Sequence, residues 1–217
     1  PDASHLVVRN CRFLACCNGL AGRGSSLFRP LYVRNMKTTV SGCEFSHCVN
    51  GINFAAPGLL TDETALVVSN CLFRYAFISD SGSVAISNAN HPTPDASPKV
   101  HVADCTFTGN FNPAGDCCGV SVLANGLVER CTFTQNYGYE YPVNTLCIYG
   151  MDPNSGGGSP RLEVRDCRFV GCTSYATPVY FDKDATVSVD GLIMEYCRGF
   201  NIGAMSMHGG AAVTIAN

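Results

Sequence analysis

The 217-residue chain reads as an all-β protein, a right-handed parallel β-helix of about seven coils in which long and short coils alternate. Three observations predict this. A short apolar pattern recurs seven times, its repeats lie 25 to 36 residues apart, and the composition is unsuited to helices.

The pattern is Val, two residues, Cys, one residue, Phe, two residues, then Cys or Asn. Its anchors are Cys11, Cys43, Cys71, Cys105, Cys131, Cys167 and Leu192. Three residues ahead stand Val8, Val40, Val68, Val102, Val128, Val164 and Val189, and two behind stand Phe13, Phe45, Phe73, Phe107, Phe133, Phe169 and Met194. Five behind come Cys16, Cys48, Ala76, Asn110, Asn136, Cys172 and Cys197. Successive anchors are 32, 28, 34, 26, 36 and 25 residues apart, whereas anchors two apart are always 60 to 62 apart, so long and short coils alternate.

Each coil is expected to hold three short strands. Inward residues fall at period two, as in Val100 and Val102 and again in Cys105 and Phe107, and the phase breaks between those pairs. The chain must turn there, and Asn10, Gly42, Asn70, Asp104 and Asp166 offer the left-handed conformation such a corner needs. A third strand recurs at Gly82–Ile86, Gly119–Val122, Thr145–Ile148, Pro178–Phe181 and Ala204–Met207. The extra length of the long coils follows it, in Ser87 to Pro98 and Tyr149 to Pro160. Stacked coils place equivalent residues about 4.8 Å apart, so like side chains should form columns. A sandwich has no reason to repeat such a pattern, and a propeller blade needs four strands in about 40–45 residues.

Composition agrees. Charged residues are 14% of the chain, against about 25% in an ordinary domain. Short Val, Phe and Ile runs are punctuated by Gly, Asn, Asp and Pro rather than set at helical period. One domain spanning residues 1–217 is expected, as a segment of a longer solenoid, because neither end carries a polar or helical cap. A net charge of −3 provides no basic stripe for nucleic acid, and no apolar run reaches the length of a membrane span.

The motifs resemble the pectin-lyase-like right-handed β-helix superfamily, and within it the repeats of the polymorphic outer membrane protein family. Phe107-Thr108-Gly109-Asn110 and Phe133-Thr134-Gln135-Asn136 match that family's Phe-x-x-Asn element, and Gly209-Gly210-Ala211 resembles the start of its Gly-Gly-Ala-Ile element. Elsewhere Cys16, Cys48, Cys172 or Cys197 replaces the Asn. The resemblance implies a surface-exposed adhesive or structural role, while the wider superfamily also includes polysaccharide lyases and hydrolases.

Four constellations are candidates for chemistry. The anchor cysteines should point inward as small hydrophobes. Cross-coil bridging is permitted for Cys16 with Cys48 and for Cys172 with Cys197. Cys16-Cys17 and Cys117-Cys118 are further possibilities, with Cys147 one coil above the latter. Charges form columns too: Asp104, Arg130 and Asp166, and beside them Glu129, Arg165 and Asp190. Alternating signs suit a salt ladder better than a calcium site, which needs converging oxygens without a guanidinium between them. His208-Gly209 is the faint counterpart of a polygalacturonase motif, but there is no Asp-Asp pair and no Trp for sugar stacking. Finally Tyr137, Tyr139 and Tyr141, with Tyr149 and Tyr175 in neighbouring coils, form either a protein- or sugar-binding patch or a loop packed over the short coil.

No residue is assigned to catalysis, to a cofactor or to a metal, and the expected function is a non-catalytic structural or adhesive β-helix at the cell surface or outside the cell. Its partners would be a protein or glycan surface, and further coils or other chains stacked at both ends. The alternatives are a carbohydrate-active enzyme acting on an acidic polysaccharide and an intracellular scaffold. The scaffold suits reduced cysteine columns and the lack of any Asn-x-Ser/Thr sequon among 16 asparagines.

Overall fold

The computed structural model describes residues 5–16, 31–34, 36–49, 51–55, 64–77, 84–87, 100–113, 117–122, 125–139, 144–148, 160–174, 177–181, 185–200, 203–207 and 212–216. The two long-coil insertions (88–99 and 149–159), Cys17, Tyr141, Tyr149, Tyr175, His208 and the Gly209-Gly210-Ala211 element lie outside them, as does the side chain of Cys147.

The repeat becomes a parallel β-solenoid. Its first sheet holds eight strands: His5–Arg9, Lys37–Ser41, Leu66–Ser69, Val100–Ala103, Gly126–Glu129, Arg161–Arg165, Thr186–Asp190 and Ala212–Ala216. Its second holds seven: Arg12–Leu14, Glu44–Ser46, Leu72–Arg74, Thr106–Thr108, Thr132–Thr134, Arg168–Val170 and Ile193–Glu195. Pairing is parallel and in register, so Val102 lies between Val68 and Val128, and Phe107 between Phe73 and Phe133. The described strands complete about five turns, fewer than the seven anchors suggest.

The third strands form a seven-stranded sheet as expected, and Leu31–Arg34 and Ile52–Ala55 extend it into the first coils, where no strand was anticipated. The expectation of three strands per coil needs correction as well. A short sheet of Phe111–Asn112, Tyr137–Gly138, Thr173–Ser174 and Arg198–Gly199 follows the second corner, so these coils have four sides. Its two-residue strands are too short to show an alternating pattern.

Both corners use the left-handed region. The first has Asn10, Gly42, Asn70, Asp104, Arg130, Asp166 and Gly191 at φ between 49° and 66°. The second has Ala15, His47, Tyr75, Gly109, Gln135, Gly171 and Tyr196 at φ between 50° and 62°. This conformation costs a non-glycine residue roughly 1–2 kcal/mol. Cross-coil backbone hydrogen bonds hold it in place, such as Arg130 N to Arg165 O at 2.9 Å and Tyr75 N to Thr108 O at 3.0 Å. At Gly191 a side chain is also excluded sterically, because a Cβ would meet Asp166 Oδ1 at 2.4 Å.

The core is a set of columns. Phe13, Phe45, Phe73, Phe107, Phe133 and Phe169 stack at ring-centroid spacings of 4.4 to 4.9 Å, within 9° of parallel. This lets each ring bury both faces against its own kind. Val40, Val68, Val102, Val128, Val164 and Val189 line the first sheet, also fully buried.

Candidate functional site

The anchor cysteines do face inward: Cys43, Cys71, Cys105, Cys131 and Cys167 are buried, and Cys11 at the head of the column is exposed. Each buried thiol lies nearest the carbonyl two residues back, at 3.1 to 3.3 Å, and has a second, longer acceptor on the preceding coil. Cys43, Cys71, Cys105, Cys131 and Cys167 reach Val8, Val40, Val68, Val102 and Val128 at 3.6 to 3.8 Å. Cys131 stabilises the ionised form of Cys105, but contact with Cys71 and burial outweigh it and push Cys105 up to about 12. Thiol contact and burial likewise raise Cys131 and Cys167. Sulfurs this buried and this hard to ionise are structural, not nucleophilic.

The second corner carries another polar column. Asn110 and Asn136 donate from Nδ2 to the carbonyls of Phe73 and Phe107, at 3.2 and 2.9 Å. Their Oδ1 atoms accept from the backbone N–H of Ala76 and Asn110, at 2.9 and 3.1 Å. This gives the Phe-x-x-Asn element its physical meaning: Phe fills the core, two residues turn, and Asn pairs the exposed backbone of the corner. Where Cys stands instead, the thiols of Cys48 and Cys172 donate to the equivalent carbonyls of Phe13 and Phe133, both at 3.3 Å. The twelve described cysteines all carry free thiols. Cys117 and Cys118 are buried side by side on the fourth side of the coil. Asn144 is the residue opposite Cys117, and Cys147 lies opposite Ser121, not above either cysteine.

The charge columns fall in the anticipated register, with Arg165 between Glu129 and Asp190. Arg130 binds Asp104 through Nε at 2.8 Å and Glu129 through Nη1 at 2.7 Å, while His101 Nε2 meets Glu129 Oε1 at 2.8 Å. Burial alone would raise Glu129, but the Arg130 and His101 contacts outweigh it and hold its carboxyl below the ordinary 4.5. Arg130 likewise holds Asp104 below 3.8. The column picture fails at Arg165, whose guanidinium pairs with Glu163, two residues back on its own strand. Among the described residues no group of three or more His, Cys, Asp or Glu is arranged to hold a metal ion. On the same sheet Arg161, Leu162, Glu163, Thr186 and Ser188 line a shallow open groove of about 200 Å³, below the roughly 300–1,000 Å³ of small-molecule sites.

What stands out on the surface is the aromatic edge outside the short sheet. Phe77, Phe111 and Tyr137 occupy one column, with Phe77 edge-on to Phe111 at 5.6 Å and Phe111 stacked on Tyr137 at 5.5 Å. Tyr75 leans over Gly109, where an added Cβ would sit 2.8 Å from its ring. Arg74 and Arg198 lie 6.0 and 5.7 Å from the centroids of Tyr75 and Phe200. Tyr75, Phe77, Tyr139 and Phe200 are about half exposed and Tyr196 is 91% exposed. Of the tyrosine cluster read from sequence, Tyr137 is half-buried in the Phe77–Phe111 column and Tyr139 is exposed, while Tyr75 and Tyr196 stand apart on the second corner with Gly109, Gln135 and Gly171 between them. The missed members had a legible signal, since Phe77, Phe111 and Tyr137 each lie six residues after their anchors.

Comparisons with protein-family models, with curated proteins and with solved structures give no match. The geometry defines the class: a cysteine-rich repeat protein folded as a parallel β-solenoid. Among the described residues no helix is long and apolar enough to cross a membrane.

Proposed function

We propose that the protein is a non-catalytic structural or adhesive β-solenoid, part of a cell-surface or extracellular protein or assembly. The observation that carries this reading is the aromatic edge of Tyr75, Phe77, Phe111, Tyr137, Tyr139, Tyr196 and Phe200, an apolar surface of the kind that contacts a partner. Phe111 and Tyr137 cover one another's faces, whereas Tyr196 leaves its ring open to solvent, so the edge suits a protein or a glycan surface. The resemblance of the Phe-x-x-Asn elements to polymorphic outer membrane protein repeats supports the same role. The outermost strands of the first sheet, His5–Arg9 and Ala212–Ala216, each have one hydrogen-bonded neighbour, and further coils or another chain would add there by strand pairing.

The test has two arms. Bacteria displaying the chain are scored for adhesion to a cultured-cell monolayer, and the F77S/Y139S/F200S variant, displayed at the same level, should lose most of it. In parallel the purified chain is incubated with polygalacturonate and alginate, and no cleavage products are expected. Turnover lost in Arg165→Ala, or adhesion indifferent to the aromatic residues, would overturn the proposal.

A further inference from the structure

We infer that Cys172 and Cys197 form a redox-modification site, closing a disulfide between adjacent coils when the protein meets a low-molecular-weight disulfide such as oxidised glutathione. The two cysteines occupy the same corner position on consecutive coils. Thr173 pairs in register with Arg198, and Arg198 N donates to Cys172 O at 2.9 Å. Neighbouring parallel strands place such residues about 4.8 Å apart, inside the roughly 4.4–6.8 Å between Cα atoms that a disulfide spans. The two thiols lie close enough for each to shift the other's ionisation.

The pair also has the asymmetry that thiol exchange requires. Cys197 is half-buried and open to solvent on one side, while Cys172 is fully buried. The contact with Cys172 outweighs the burial of Cys197 and lowers Cys197 to about 7, so much of it is thiolate at neutral pH. The same contact, together with burial, raises Cys172. The anchor column differs in access: contact with Cys105 lowers Cys71 as well, but Cys71 is 3% exposed, and Cys105, Cys131 and Cys167 are buried and raised. A small disulfide cannot reach them.

The chemistry runs in two exchanges. The Cys197 thiolate attacks one sulfur of glutathione disulfide, the S–S bond breaks, and one glutathione leaves as thiolate, giving a mixed disulfide on Cys197. The contact that did most to raise Cys172 is then gone, because Cys197 no longer carries a charge. Cys172 passes its proton to the departing glutathione and attacks Cys197 Sγ. Two protein thiols are oxidised and one glutathione disulfide is reduced to two thiols.

The test uses the full reduced chain in native buffer at pH 8 with oxidised glutathione, followed by acid quenching, alkylation and peptide mapping. Thiols titrated in denaturant should fall by two from the 14 of the sequence. One linked peptide should contain Cys172 and Cys197. Cys172→Ser should halt at glutathione on Cys197, and Cys197→Ser should lose the linkage. The unmodified protein gives a second readout that needs no variant to fold: iodoacetamide labelling of Cys197 should reach half its maximal rate near pH 7. An unchanged thiol count, a lasting glutathione adduct on Cys197 in the unsubstituted chain, linkage only elsewhere, or labelling with an ordinary thiol midpoint near 9 would each overturn the assignment.

Discussion

The inside and the outside of this solenoid obey the same stacking rule with opposite consequences. Inside the second sheet, Phe73, Phe107 and Phe133 repeat the same side chain, and each buried ring covers the next. On the exposed first corner the sequence cannot repeat itself in this way, because a column of Asp would set like charges about 4.8 Å apart. There Asp104 is followed by Arg130 and then by Asp166. Repetition is favourable where water is excluded, and alternation is favourable where charge is exposed. The inward column beside the second corner, Asn110 and Asn136, lies between these extremes, being buried yet polar.

The largest expected effect is in the Phe column. Phe107 is fully buried with a stacked ring on each side, so Phe107→Ala should lower stability by about 3–5 kcal/mol. Phe13 is only half-buried and stacks on Phe45 alone among the described rings, so Phe13→Ala should cost clearly less. Urea unfolding of both variants checks this. Equal losses would show that the ring column is not what couples the coils.

The intermediate effect is at the second corner. Asn136→Ala removes the donor to Phe107 O and leaves the buried Asn110 N–H without its acceptor. A loss of about 1–3 kcal/mol is expected. The reverse exchange tests whether thiol and amide are equivalent there. Cys172 already donates to Phe133 O and accepts weakly from Asn136 Nδ2 at 3.9 Å, so Cys172→Asn should leave the midpoint unchanged or raise it. If Cys172→Asn proves more damaging than Asn136→Ala, the corner cysteines are there for packing or redox chemistry and not as stand-ins for asparagine.

The parts of the fold that were legible in the sequence are those the core imposes directly. Val102, Cys105 and Phe107 must be apolar in every coil, so their spacing survives even though the loops between repeats differ in length. The second corner was not legible, because Tyr75, His47 and Tyr196 carry no turn signal. At His47 and Tyr75 the left-handed backbone is held by hydrogen bonds to the next coil. Cys147 was placed over Cys117-Cys118 by coil spacing, but Asn144 is the residue opposite Cys117, and the bulge beyond it only moves Cys147 from Val120 to Ser121. Of the aromatic edge the sequence reading included Tyr137 and Tyr139 but neither Tyr75 and Tyr196 nor Phe77 and Phe111, whose shared spacing from the anchors does not say that they face outward. Arg165 was assigned to a column by register alone, and register does not say which way a long flexible side chain will reach.

The smallest effect is expected on the exposed charge column, and its pH dependence makes it separable. Arg130 is half-exposed and bridges Asp104 and Glu129. Pairs of this kind contribute little, because water screens them and the side chains lose freedom, so Arg130→Ala should lower Tm by no more than about 3 °C. The folded-state carboxyls of Asp104 and Glu129 lie below their ordinary 3.8 and 4.5. Their contribution is thus fully present above those values and is lost as pH falls through the depressed folded-state range. The variant lacks the Arg130 part of that contribution at every pH. The Tm difference between the two proteins should therefore be greatest near neutrality and shrink as both carboxyls are protonated. It should also shrink in 1 M NaCl, where the Debye length is about 3 Å. A difference as large as that of Phe107→Ala, or one indifferent to pH and salt, would mean that Arg130 holds its strained left-handed corner by packing. The contrast between interior and exterior columns would then fail at the residue chosen to illustrate it.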